Sequence, residues 1–142
     1  MRFRGAILAL PLVLLAGPAA AVKDWYDFYE EGKQQVARGR CAEALASLAQ
    51  ARRLKPSSEL EVRPYGLVFL DYVPYYYEGL CHAKLGDLSG AIRAFDAEEK
   101  QGAIKKNKQL YADLIERRGR VKKAQEDAAT ARGALIAAMY EK

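Results

Sequence analysis

A helical hydrophobic period, cut by turn residues at short intervals, is the feature that most constrains this chain. From Asp24 the sequence reads DWYDFYEEGKQQVARGRCAEALASLAQARRLKPSS. Trp25, Phe28, Tyr29, Gly32 and Val36 recur at the spacing of one helix face, and Asp24 stands where an N-cap is needed. Gly39 interrupts the run. Ala44, Leu45, Leu48, Ala51 and Leu54 then resume it until Pro56-Ser57-Ser58. Helices this short are marginal alone and gain stability by burying their apolar faces, so the spacing predicts a helical hairpin.

The pattern returns downstream. PYYYEGLCHAKLGDLSGAIRAFDAEEKQG predicts a helix from Pro74 to about Leu85, a turn at Gly86-Asp87, and a second helix from about Ser89 to Lys100. A repeated helix pair points to a stacked array.

The spacing resembles that of the tetratricopeptide repeat (TPR) family, whose 34-residue unit follows W-x2-L-G-x2-Y, A-x3-F and a terminal Pro. With a unit begun at Trp25, Phe28 takes the Trp place, Gly32 the Gly, Ala44 the Ala, Leu48 the Phe, Ala51 the second Ala and Pro56 the Pro. Glu31 and Gln35 depart at the Leu and Tyr places. With a second unit begun at Tyr72, Tyr75, Gly79, Ala91 and Phe95 take the corresponding places, and Leu85-Gly86-Asp87-Leu88 is similar to the family's inter-helix turn. Glu78, Glu98 and Ala103 depart, and His82 stands at the Tyr place. The small residues are expected where neighbouring helices cross, because bulk there would force them apart.

The resemblance implies an all-α fold: a short α-solenoid of two TPR-like hairpins over residues 22–104, followed by a capping and extended C-terminal helix over 105–142. Leu110, Leu114 and Val121 are expected to cap the array against Ile92 and Phe95. The two units start 47 residues apart, so a segment at about 59–71, ELEVRPYGLVFLD, is inserted. Its apolar run Leu67–Leu70 and the Pro64-Tyr65-Gly66 turn signal predict that it packs on the repeats, as a short helix or as extended chain. It would serve as a lid or a partner site, or as a cover for the repeat edge.

The resemblance also implies a partner groove. The family's groove positions fall on Tyr26, Tyr29, Lys33, Val36 and Ala37 in the first unit, and on Val73, Tyr76, Leu80, Ala83 and Lys84 in the second, with Tyr77 adjacent. Tyrosine offers contact area with a polar tip, which suits an interface. The family's carboxylate clamp uses Lys and Asn where this chain has Tyr29 and Lys33, so that clamp is not expected.

No catalytic constellation emerges, and neither a cofactor nor a metal site is expected. His82 has no evident acid or nucleophile partner in the sequence, and the adjacent pairs Glu30-Glu31 and Glu98-Glu99 point to different helix faces. Phosphate-binding glycine loops, H-E-x-x-H and G-x-S-x-G are missing.

The first 21 residues, MRFRGAILALPLVLLAGPAAA, read as a Sec-type signal peptide: two arginines, a short apolar run and an A-x-A site, with cleavage expected after Ala21. The apolar run is too short to span a bilayer, which needs about 20 residues. The expected destination is the bacterial periplasm or the exterior, without stable membrane insertion after cleavage, and export disfavours nucleic acid as a partner. Cys41 and Cys81 would meet at one end of neighbouring helices, as a disulfide in an oxidising compartment or as two buried thiols.

Charge is uneven. Val22–Glu99 carries 10 basic and 13 acidic residues, and Lys100–Lys142 carries 11 basic and 5 acidic. Leu114, Val121, Ala128 and Leu135 recur every seven residues in that basic tail, with Ala124, Ala131 and Ala138 at the companion places. The expected function is a non-catalytic protein–protein interaction module of the cell envelope. The alternative is a structural envelope protein that forms a homo-oligomer through 105–142.

Overall fold

The computed structural model describes residues 21–141. The predicted signal peptide therefore lies, but for Ala21, outside the described residues. The chain is mainly α. Its elements run α1 Trp25–Ala37, α2 Cys41–Leu54, β1 Glu59–Tyr65, β2 Val68–Tyr72, α3 Pro74–Lys84, α4 Leu88–Gln101, a 3-10 turn Ala103–Lys106, and α5 Lys108–Tyr140. No helix among the described residues is long and apolar enough to cross a membrane.

Local chemistry sets the helix ends. Asp24 caps α1 in a capping box with Asp27. Asp87 accepts from the Gly90 amide at 2.8 Å to start α4, and Asn107 accepts from the Leu110 amide at 3.1 Å to start α5. Helix α3 has no such residue: Val73 precedes it and Pro74 opens it. Glu98 of α4 caps it from a distance, its Oε2 accepting from the Tyr76 amide at 3.3 Å. Burial pushes the Glu98 carboxyl up to about 7, against the hydrogen bond from the Tyr76 amide.

Helices α1 and α2 pack antiparallel, with Val36 beside Cys41 at one end and Tyr29 beside Leu48 and Ala51 towards the other. A Cβ on Gly32 would stand 2.8 Å from Leu48 Cγ, and one on Gly79 would stand 2.5 Å from the Phe95 ring. Both contacts close only because glycine has no side chain. Ala44, Ala51 and Ala91 are fully buried and Phe28 is half-buried on the Tyr29 cluster. Pro56, expected in the repeat packing, is exposed instead in the link after α2. The chain leaves the helical path there, so no further helix turn presses on the proline. Between α2 and α3, Arg52 Nε donates to Glu78 Oε1 at 2.6 Å.

Of the two forms open to the 59–71 insert, it takes the extended one, and the fold is mainly α rather than all-α. β1 and β2 form an antiparallel hairpin, paired at Glu59 with Tyr72, Val62 with Leu70 and Tyr65 with Val68. Strand β1 has one extra residue in each interval, so it bulges twice. Glu61, at φ 53°, occupies the first bulge, and Pro64, which has no N–H to donate, falls in the second. The Glu61 amide donates to Asp71 Oδ1 at 3.0 Å, which holds the first bulge shut.

Candidate protein-interaction site

The predicted groove residues divide into a buried set and two clefts. Tyr29, Val73 and Tyr76 are buried, which corrects their expected role as partner-facing residues. The reason is aromatic crowding. The Tyr29 ring meets Tyr72 at 4.8 Å and Tyr77 at 5.9 Å between centroids, and Trp25 covers Tyr72 from the other side at 4.9 Å. The Tyr29 hydroxyl donates to the Asp71 carbonyl at 2.6 Å and accepts from the Val73 amide at 3.2 Å, so both its capacities are spent inside the protein. Burial raises the Tyr29 phenol well above its ordinary value, against the pull of the Val73 amide.

Helix α5 fills the middle of the expected groove. The Tyr76 hydroxyl donates to Asp113, which also accepts from Arg117. Leu114 and Val121 of α5 pack with Val73, Tyr76, Ala91, Phe95 and Ile104. Leu110 and Ile92 lie against the same cluster, so the cap expected from the tail is in place. In covering α3, α5 splits the groove into an upper and a lower cleft.

The upper cleft encloses about 450 Å³. Tyr26 and Lys33 come from α1, Tyr77 from α3, and Leu110 from α5. The hairpin supplies the outer wall with Tyr65, Val68 and Phe69. The Tyr26 and Tyr65 rings lie 5.2 Å apart, and Arg63 stacks 4.6 Å from the Phe69 centroid. Phe69 and Tyr65 are each 56% exposed and Leu67, at the turn, 84%. Glu30 and Asp71 join Lys33 in the lining, so the cleft couples an aromatic wall to charges of both signs. Lys33 Nζ bonds Glu30 at 2.9 Å and stands 5.3 Å over the Tyr29 ring.

The lower cleft, about 370 Å³, holds the groove residues Val36, Leu80, Ala83 and Lys84, and Ala37 is exposed outside both clefts. Cys41, Phe95 and Val121 give it an apolar floor, while Arg117 and Arg120 of α5 stand at its rim.

Cys41 and Cys81 meet, as free buried thiols in one cluster with Ala44. Burial and the neighbouring Cys41 push the Cys81 thiol up to about 12. His82, for which the sequence suggested no partner, has an acid beside it: its Nδ1 lies 2.9 Å from Asp87 Oδ2. Asp87 is also the cap of α4, so the pair braces the turn between α3 and α4. No group of three or more metal-ligating side chains occurs among the described residues.

Sequence reasoning missed Tyr65, Val68 and Phe69 as site residues. Their apolar, β-prone character was visible, but which side of the hairpin they present depends on the two bulges. Asp113 was missed because its partner Tyr76 lies on another helix, and Arg117 because its place follows from Asp113. No protein-family model, curated protein or solved structure matches the chain.

Proposed function

We propose that this protein is a non-catalytic interaction module of the bacterial cell envelope, built from two TPR-like hairpins, that holds an apolar partner segment in the upper cleft. The observation that carries this reading is the aromatic wall of the cleft: Tyr65, Val68 and Phe69 stand exposed around a cavity whose floor is already packed. Exposed aromatic side chains grouped around a concavity mark interaction sites. The close contacts of Gly32 with Leu48 and of Gly79 with Phe95 support the TPR-like reading of both hairpins. The A-x-A site before Val22 supports export.

Cross-linking in envelope extracts, followed by binding assays with the partner so identified, tests this function. Phe69→Ser with Tyr65→Ser is expected to weaken binding at least tenfold while helical content is unchanged. Unchanged binding would remove the cleft from the interface. N-terminal sequencing is expected to begin at Val22, and retention of Met1–Ala21 in the membrane would sink the export reading.

A second reading, self-assembly through the C-terminal helix, is favoured by a separate observation. Every described residue beyond Val121 is exposed, including Leu135, Ile136, Met139 and Tyr140.

A further inference from the structure

Helix α5 changes role at Val121. Its first half is seated on the body: Leu114 is fully buried, Val121 is 8% exposed, and Arg118 donates to Asp96 and Glu99 of α4. Gln125, bonded to Ser89 at 2.8 Å, makes the last hydrogen bond to the body. Beyond it the helix projects. At 1.5 Å per residue, the segment from Glu126 to Tyr140 reaches roughly 22 Å.

The projecting half carries the same stripe that seats the first half. Ala124, Ala128, Ala131, Leu135 and Ala138 continue the seven-residue seam of Leu114 and Val121. This seam is narrow over Ala124–Ala131 and bulky at Leu135, with Met139 beside it towards the tip. A parallel, in-register partner would put alanine on alanine at four layers, Ala124, Ala128, Ala131 and Ala138, and leave them underfilled. An antiparallel partner sets Leu135 against Ala124 of the second copy and keeps alanine on alanine only at the two equivalent central layers, where Ala128 meets its Ala131; Ala138 then reaches the level of its buried Val121. That register also places Glu141 opposite Arg120 of the second copy at both ends of the rod. Arg120 is exposed and bonded only to Glu116 of its own helix turn, at 3.3 Å.

The same register carries each tip to the lower cleft of the other copy. The cleft opens beside Val121, has an apolar floor and is rimmed by Arg117 and Arg120, whereas the last described turn of α5 carries Met139 and Tyr140, with Glu141 following. We infer that this protein forms a two-fold dimer in which the projecting halves of α5 pair antiparallel and each apolar tip enters the partner copy's cleft between α1, α3 and α5. The inference rests on the self-assembly reading and names its partner as a second copy. The contact is isologous: cleft and tip belong to one chain, and each is used once per copy. An alanine seam buries little area, so the tip-in-cleft contact supplies the rest, and dissociation on the order of micromolar is expected.

Light scattering with size-exclusion chromatography, run over a range of concentrations on purified protein of verified mass, is expected to show a monomer–dimer equilibrium. Leu135→Glu is expected to abolish the dimer with far-UV dichroism unchanged. Arg120→Glu is expected to weaken it about tenfold, and Arg120→Glu with Glu141→Arg to restore it. Spin labels at Ala137→Cys are expected roughly 25 Å apart, where a parallel pair would bring them within ~15 Å. A monomer at every concentration overturns self-assembly itself. A dimer with close tips, or one that the charge swap fails to rescue, overturns the antiparallel tip-in-cleft arrangement and leaves self-assembly standing.

Discussion

The Tyr29 hydroxyl donates to the Asp71 carbonyl across 42 positions of sequence, at 2.6 Å, and so joins the first helix to the end of the hairpin. The same oxygen accepts the Val73 amide, the last residue before α3. One phenol therefore satisfies two backbone groups at the junction of three elements. Tyr29→Phe leaves both without a partner in a site closed to water. A loss of about 2–3 kcal/mol in urea unfolding is expected, against less than about 0.5 kcal/mol for Tyr26→Phe at the cleft edge.

Two glycine-to-alanine substitutions are expected to act with opposite sign. At Gly79 the new methyl would lie 2.5 Å from the Phe95 ring, and overpacking of about 1–3 kcal/mol outweighs the helix-propensity gain. At Gly119 nothing lies within 4 Å of the new Cβ, so only the gain remains, about 0.5–1 kcal/mol. Thermal unfolding of the two variants reads the difference directly.

Glu98 makes stability fall as pH rises. Its folded pKa, about 7, lies above the ordinary 4.5, so the folded state holds the proton more tightly than the unfolded chain. The neutral carboxyl contributes fully below the unfolded value, and its contribution is lost as pH climbs to the folded one. The decline between pH 5 and 8 is expected to be about 2.5 kcal/mol, and Glu98→Gln to flatten it. Urea midpoints across that range test both.

Thiol titration probes the α2–α3 contact. Denatured, unreduced protein is expected to give two reactive thiols, because Cys41 and Cys81 are both free. Native protein is expected to react far more slowly, since both sulfurs are buried and the Cys81 thiol is pushed up to about 12. No reactive thiol after denaturation would show a bridge between them.

The helices were legible because their signals are local. Asp24, Gly39, Pro74, Asp87 and Gly102 mark ends that coincide with the structure to within a residue or two, and the small residues at 32, 44, 79 and 91 all fall at helix crossings. The hairpin was legible only in part. Leu67–Leu70 reads as extended chain, but the two bulges shift the register of ELEVRPY against it, so its pairing could not be read off. The open groove failed for a physical reason: whether Tyr76 faces solvent depends on where α5 lies. The partner that settles it, Asp113, is 37 residues away on a face the repeat pattern does not describe.

Stacked helix pairs ordinarily touch only their neighbours, and their stability then builds up segment by segment. Here Asp71 breaks that rule. Its carbonyl takes the Tyr29 proton while its carboxylate receives Asn107 Nδ2 at 3.2 Å, at the cap of the last helix. The first and last helices are thus latched through one residue in the middle of the chain, and the run of helices becomes a closed circuit. Neither end can fray without loosening the other, so amide exchange in α1 and in the seated half of α5 should report one and the same opening event.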